Sequence, residues 1–193
     1  MKTLYFDCGM GAAGDMLAAA LLELVPDGDD ILEELNNLGI PKVTLGREQS
    51  SKCGICGTHF SVKVGEVEEG EDSHDHSHMH HHHSGMHEIE HIISHLKLSE
   101  KIKKDVMAVY RLIAEAESHV HGVPVTEIHF HEVGTMDAVA DITAVCFLMD
   151  RISPDRVAAS PIHVGSGEVK CAHGILPVPA PATAYLLRGL PIY

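Results

Sequence analysis

The stretch from residue 65 to residue 86 divides this 193-residue chain into two parts that can each contribute to a hydrophobic core. It is acidic at first and then rich in histidine, and it has no apolar pattern that a helix or strand would bury. Ten of the seventeen histidines lie between His74 and His95. We therefore expect a disordered loop at 65–86 within one domain, with ordered parts at 1–64 and 87–193.

The histidines of this loop predict metal binding. Neutral imidazole is a common ligand of Ni²⁺, Zn²⁺, Cu²⁺ and Co²⁺, so a dense run of histidines is expected to collect such ions. Composition alone does not choose among these metals. The candidate ligands in the loop are His74, His76, His78, His80, His81, His82 and His83. The loop either holds the chemistry itself or supplies metal to a site elsewhere in the chain.

The charge of the chain excludes two classes of partner. Its formal net charge is −14 at pH 7, whereas nucleic acids and anionic membranes are bound through basic patches. The N-terminus lacks the charged-then-apolar layout of a signal peptide, and no run of eighteen apolar residues occurs. We therefore expect a cytoplasmic protein. The five cysteines are scattered and odd in number, which is not typical of a disulfide framework.

Apolar periodicity predicts strands and helices in alternation. Strands are predicted at 3–8, at 126–133, after residue 155 and at 191–193, with a hairpin formed by 43–49 and 58–64. Helices are predicted at 15–24, 29–38, 87–97, 100–120, 136–152 and 180–188. This alternation indicates an α/β or α+β fold around an open mixed sheet.

A glycine-rich turn follows the first predicted strand. Gly9, Gly11 and Gly14 spell GxGxxG, the pattern of dinucleotide-binding turns. The second strand that such a fold requires is absent, because the sequence predicts another helix in its place. The start of the first helix can still bind a phosphate through its free amides, with Asp7 and Asp15 holding it through a divalent cation. A phosphate-binding turn and a purely structural turn both remain open.

The densest set of chemically active residues lies at a predicted strand–turn–helix junction. On a strand, His129 and His131 face the same side and can bind one ion. Glu132 ends that strand, and Asp137 and Asp141 lie one turn apart on the following helix. Asp141 interrupts an apolar helix, where a carboxylate needs a partner. These residues predict a divalent metal or general acid–base site.

A second histidine motif follows the loop directly. His87, Glu88 and His91 match HExxH, which is typical of zinc metalloproteases. With His95, the three histidines lie on one face of the predicted helix, opposite its apolar residues. A protease also needs a cleft and a third ligand from elsewhere. We interpret this face as an extension of the metal-collecting loop.

Two shorter motifs have structural explanations beside functional ones. Gly165 and Gly167 form a turn that can present backbone amides to an anion, and His173 follows in a proline-rich segment. Cys53 and Cys56 form a CxxC at the predicted hairpin turn. A zinc ribbon would require a second CxxC, so a turn is favoured there.

Three segments together resemble the nickel insertion proteins of the lactate racemase nickel-pincer nucleotide pathway. They read DCGMGAAGDMLAAALLEL, AEAESHVHGVPVTEIHFHEVGTMDAVADI and VGSGEVKCAHGILPVPAPATAYLLRGLP. The resemblance implies a cyclometallase that inserts Ni²⁺ into pyridinium-3,5-bisthiocarboxylic acid mononucleotide, with CTP and Mn²⁺ or Mg²⁺. By position, the family's motif residues fall on Asp7, Gly9, Gly11, Gly14, Asp15, His121, His129, His131, Glu132, Asp137, Asp141 and His173.

The resemblance also implies that nickel handling and CTP binding belong to different portions of the family's proteins. Members of that family are longer than this chain, and the CTP-binding part lies in their C-terminal half. This chain is then expected to be the nickel-handling N-terminal portion. From the chemistry of the residues we infer that Glu132, His129 and His131 act in catalysis and that His121 is among the metal ligands. The residues expected to bind the cofactor are Gly9, Gly11, Gly14, Asp15, Gly165, Gly167 and His173. A homo-oligomer stays open. The alternatives are a non-catalytic nickel or zinc storage protein or metallochaperone, and a metal-dependent hydrolase.

Overall fold

The computed structural model describes residues 1–65, 67–68, 85–130, 132–171 and 173–193. Helices and short strands alternate within them, which confirms the α/β class. The strands are divided among three small sheets of parallel or antiparallel pairs. The predicted disordered loop lies mostly outside the described residues, and with it His74, His76, His78, His80, His81, His82 and His83; His131 lies outside them as well.

The elements agree closely with the predicted helices and with most of the predicted strands. The helices are α1 (Gly14–Glu23), α2 (Gly28–Asn36), α3 (Met86–His95), α4 (Glu100–His121), α5 (Met136–Ile152) and α6 (Pro181–Leu186). The strands are β1 (Thr3–Phe6), β2 (Val43–Lys52), β3 (Ile55–Val64), β4 (Val67–Glu68), β5 (Arg156–Ala159), β6 (Glu168–Cys171) and β7 (Gly174–Pro177). None of the described helices is long and apolar enough to cross a membrane.

β1 and β5 form a parallel pair that the last residues of the chain extend. The register sets Leu4 opposite Val157. Beyond β5, Ile162 forms a parallel bridge with Ile192, and the amide of Tyr193 donates to the carbonyl oxygen of Ile162 at 3.1 Å. The strand predicted at 191–193 is therefore present only as a single bridge and its hydrogen bonds to the residues after β5.

The predicted hairpin is confirmed and is longer than predicted. β2 and β3 pair in antiparallel register from Val43–Val64 to Lys52–Ile55. Cys53 and Gly54 connect them with φ angles of 53° and 78°. Positive φ at both positions of a two-residue loop is typical of a type I′ turn. Both cysteines of the CxxC are exposed and free, as expected of a turn.

The core is centred on α1 and α5, which pack against each other. Small residues on the facing surfaces, such as Ala18 on α1 and Ala140 and Ala144 on α5, are fully buried. α1 also packs against β3, while α4 packs against α3, α5 and α6. Because α1 and α5 lie so close, the glycine turn before α1 meets the first half of α5, where the candidate aspartates lie.

The strand predicted at 126–133 is wrong. Two 3₁₀ turns, Val125–Glu127 and Glu132–Gly134, occupy the two ends of this segment. Ile128 and Phe130 are buried, with 4% and 1% of their surface exposed, and the histidine between them is exposed. The alternating apolar residues that predicted a strand instead bury their side chains in the core. They hold the connection between α4 and α5 against it. The argument that a strand holds both histidines on one side therefore fails.

The segment 168–177 forms a hairpin that the sequence analysis did not predict. β6 and β7 pair in antiparallel register, with Glu168 opposite Pro177 and Cys171 opposite Gly174. Glycine and proline in this segment favoured a turn, but their positions at the ends of the pairing are compatible with short strands. The hairpin places the turn that contains His173 near α4, as the site geometry below shows.

Candidate functional site

The start of α1 meets α5 at a contact between Gly14 and Asp141. A Cβ atom added to Gly14 would lie 2.6 Å from Oδ2 of Asp141 and 2.7 Å from its Cβ. Those distances are too short for any side chain at this position, so glycine is required for the close approach. Oδ1 of Asp141 is buried from solvent. Two motifs that are far apart in the sequence, the glycine turn and the α5 aspartates, therefore form one site.

The glycine turn is held by hydrogen bonds within the protein. The amide of Gly9 donates to Oδ1 of Asp7 at 3.1 Å, and the amide of Gly11 donates to the carbonyl oxygen of Cys8 at 3.0 Å. Gly11 has a φ of 90°, which favours glycine. The amide of His163 also donates to Cys8, at 3.1 Å. Since the amides of Gly9 and Gly11 already have acceptors, they support the structural interpretation of the turn, and phosphate binding there stays a prediction.

Tyr110 on α4 belongs to this site and was missed by the sequence analysis. The residue is fully buried, and its hydroxyl donates to the carbonyl oxygen of Val133 at 3.3 Å. Its ring packs against Phe130 with centroids 5.7 Å apart. Burial raises the pKa of the Tyr110 hydroxyl, and the negative charges of Asp137 and Asp141 raise it further. Tyr110 therefore stays protonated and supports the 3₁₀ turn beside the two aspartates.

A second group of predicted residues meets at the C-terminal end of α4. The rings of His121 and His173 have centroids 5.0 Å apart, although 52 positions separate them in the chain. Nε2 of His121 lies 3.3 Å from Oε2 of Glu117, one turn earlier on the helix. His121, a predicted metal ligand, and His173, predicted to bind the cofactor, are thus neighbours, beside a carboxylate.

Other predicted residues are not shown to converge. His129 is exposed, and its pairing with His131 stays a prediction. Gly165 and Gly167 have φ angles of 74° and 97° in the loop before β6, and the carbonyl oxygen of Gly167 accepts a hydrogen bond from the amide of Val178. Among the residues that the structure describes, no three histidine, cysteine, aspartate or glutamate side chains converge to hold a metal ion.

The sequence model of the nickel insertion protein family matches residues 4–192. The chain belongs to this family. No solved structure matches it.

The relatives of this chain include three that are named pyridinium-3,5-bisthiocarboxylic acid mononucleotide nickel insertion protein. The one from Clostridium kluyveri is 44% identical over 193 residues, which is all of this chain and 48% of the relative. Those from Desulfitobacterium hafniense and Geobacillus kaustophilus are 39% and 38% identical, again over all of this chain and 45% and 46% of the relatives. The chain spans about half the length of these relatives.

Membership of the nickel insertion family confirms the resemblance stated from the three segments. The match runs through both groups of residues described above, the one around Gly14 and Asp141 and the one around His121 and His173. It also decides a question that composition left open, because it favours nickel over zinc as the metal handled by the family.

Tyr110 provides a measurable property of this site. An unfolded tyrosine ionises near pH 10, whereas the folded pKa of Tyr110 is raised, so its contribution to stability is complete below pH 10 and is lost as the pH rises above it. The loss amounts to at most about 1.4 kcal/mol per pH unit for one proton. We expect Tyr110→Phe to reduce the fall in unfolding free energy between pH 9 and pH 11, measured by urea denaturation. Tyr5→Phe, at an exposed position of β1, is the control; equal pH dependence in the Tyr110→Phe protein and the unsubstituted chain would contradict the prediction.

Proposed function

We propose that this chain is the nickel-handling portion of a protein that inserts Ni²⁺ into pyridinium-3,5-bisthiocarboxylic acid mononucleotide. The observation that supports it is the family match across residues 4–192. The names of the relatives supply the substrate. Because the chain spans about half of those relatives, we assign binding of CTP with Mn²⁺ or Mg²⁺ to the portion that they carry beyond it.

The chemistry of insertion requires a metal site and a base. Two nickel–sulfur bonds form to the thiocarboxylates, and one nickel–carbon bond forms as the pyridinium ring loses a proton. We assign nickel binding to His129, His131, Asp137 and Asp141, whose donor atoms suit a divalent ion. Glu132 accepts the ring proton, as a general base. The reaction is therefore a cyclometallation.

The arrangement of the described residues supports these roles. Oδ1 of Asp141 is buried and its Oδ2 lies against the start of α1, so the charge of this carboxylate is less screened than in water. Tyr110 donates to Val133, in the same 3₁₀ turn as Glu132, and so positions that turn. Contacts to the nucleotide are assigned to the glycine turn and the start of α1, the loop before β6 and the histidine near α4, namely Gly9, Gly11, Gly14, Asp15, Gly165, Gly167 and His173. Asp7 and His121 are assigned as further metal-binding residues.

In this proposal, the histidine-rich loop supplies nickel and takes no part in the chemical step. Deleting residues 72–84 should raise the apparent KM for nickel and leave kcat unchanged, which is the pattern of lost binding without lost chemistry. The assay combines this chain, the portion found in the longer relatives, CTP, Mn²⁺, the pyridinium substrate and a nickel series, and detects the product by mass spectrometry. A variant with the loop histidines replaced by serine controls for loop length.

Two outcomes would contradict the proposal. A loss of kcat at saturating nickel on deletion of 72–84 would place the chemistry in the loop. Nickel binding without product in every reconstitution would instead support the storage or metallochaperone function. A cytoplasmic location remains a prediction of the sequence.

A further inference from the structure

α3 presents a row of histidines that the proposed insertion step does not use. His87, His91 and His95 are exposed and lie on successive turns. On the other face, Ile89 and Ile93 have 0% and 1% of their surface exposed. The helix is therefore fixed to the core by its apolar face, while its outer face carries imidazoles at fixed spacing.

The last two of these rings are close together. The ring centroids of His91 and His95 are 4.4 Å apart, with their planes tilted by 43°. Two imidazole nitrogens that bind one ion side by side, each at about 2.1 Å, lie roughly 3 Å from each other. The centroids of His91 and His95 are a little farther apart than these two nitrogens would be, so the two rings are close enough to bind one ion. The spacing of four residues on a helix keeps them side by side.

The hydrogen bonds of His95 prepare it to bind a metal. Its Nδ1 lies 2.8 Å from the carbonyl oxygen of His91 and 3.1 Å from Oγ of Ser94. Oγ of Ser94 itself donates to the same carbonyl oxygen at 2.7 Å. Because a carbonyl oxygen only accepts, Nδ1 carries the hydrogen and Nε2 keeps its lone pair. Metal-binding histidines commonly have this arrangement, in which the second ring nitrogen donates to a backbone carbonyl.

We infer that His91 and His95 form a two-histidine nickel site at which the chain receives Ni²⁺ before insertion. Imidazole nitrogens suit nickel, and the family match indicates that nickel is the metal handled. The binding site itself follows from the geometry of α3. Its role in delivery rests on the proposed function.

The small number of protein ligands suits transfer better than storage. Among the described residues, no third histidine, cysteine, aspartate or glutamate side chain joins the pair. An ion held by these two side chains alone exchanges more readily than one enclosed by four. The pair is therefore expected to bind nickel and release it again.

The position of α3 connects the histidine-rich loop to the proposed insertion site. The helix begins at Met86, directly after the loop in sequence. A Cβ atom on Gly85, at its N-terminus, would lie 3.8 Å from the carbonyl oxygen of Ile128, the residue before His129. Since eight helical residues span about 12 Å, His87 to His95 form a short row that starts at the end of α3 lying beside Ile128.

Nickel binding can be measured without any insertion reaction. The protein for this test is the full chain with the loop histidines replaced by serine and with His129→Ala and His131→Ala, which removes two of the four ligands proposed for the insertion site. Titration with NiCl₂ at pH 7.5 in a calorimeter should still show a nickel site. Adding His91→Gln or His95→Gln to this protein should weaken its affinity for nickel by more than about tenfold. A tenfold loss is typical when only a hydrogen bond that supports a metal ligand is removed. His59→Gln, an exposed histidine on β3, is the matched control.

Each result bears on a separate part of the inference. Equal nickel affinity and stoichiometry with and without His91 and His95 would overturn the site, and circular dichroism verifies that the variants are folded. In the chain with its loop intact, His91→Gln with His95→Gln should raise the KM for nickel and leave kcat unchanged; an unchanged KM would overturn the delivery role. If no variant inserts nickel, the proposed function fails, while the calorimetric result on the site still stands.

Discussion

Replacing Asp141 by asparagine should lower the rate of nickel insertion by more than the roughly 10- to 100-fold that loss of a group supporting a metal ligand costs, because Asp141 is proposed as a ligand itself. Asparagine has nearly the same shape, so it fits against Gly14, where there is no room for a larger side chain. It lacks the charge that binds a divalent ion. The fall should appear in kcat at saturating nickel, in the reconstituted reaction described above.

A second measurement separates this role from a structural one. The charge of Asp141 raises the pKa of Tyr110, so Asp141→Asn should lower that pKa. Ultraviolet absorbance of tyrosinate during alkaline titration detects the change without any nickel. Asp150→Asn removes a charge from the same helix, where Asp150 pairs with Lys101, and should leave both properties unchanged. Full insertion activity in the Asp141→Asn protein would show that the carboxylate is neither a ligand nor a base.

The helices and the long hairpin were predictable because their signals are local. The apolar residues of α5 predicted a helix at 136–152, and the structure has those limits. Gly54 after Cys53 predicted a tight hairpin turn, and both residues adopt the positive φ that this turn needs. In such segments the period of the sequence and the turn residues already specify the local structure.

The errors arose where the structure depends on distant residues. Alternating apolar residues around Ile128 and Phe130 predicted a strand, but both bury their side chains as anchors of a connection between helices. Tyr110 had the spacing of an ordinary core residue of α4, and only the fold places its hydroxyl at Val133. The hairpin of β6 and β7 was missed because its glycines and prolines are turn signals.

In the candidate site, too, local sequence signals identified single residues, while contacts between distant residues depend on the fold. Residue type identified Gly14 and Asp141 separately, one as part of a turn and the other as a carboxylate in an apolar helix. Nothing in their sequence spacing indicates that they touch, since the packing of α1 on α5 brings them together. The contact between His121 and His173 likewise requires the hairpin to lie against the end of α4. Sequence therefore supplied candidates, and the fold supplied their grouping.

Replacing Gly14 by alanine should destabilise the protein and also impair insertion. On helix propensity alone, alanine is favoured over glycine by about 1 kcal/mol. The added methyl, however, would lie within 3 Å of three atoms of Asp141, including its Cβ, so α1 or α5 must move. Overpacking of this kind costs about 1–3 kcal/mol, so the clash should outweigh the propensity and the unfolding free energy should fall.

The control is Gly57→Ala, because an added Cβ there meets nothing within 4 Å and its φ is not positive. Urea denaturation should show little change for it. A double-mutant cycle tests the cause: combining Gly14→Ala with Asp141→Gly removes the atoms that clash, so the two costs should not add. If Gly14→Ala is as stable as the unsubstituted chain, α1 can move from α5 without cost, and the glycine does not set the position of Asp141. If it is less stable and the cycle shows coupling, Gly14 is the residue that allows the start of α1 to lie against the carboxylate.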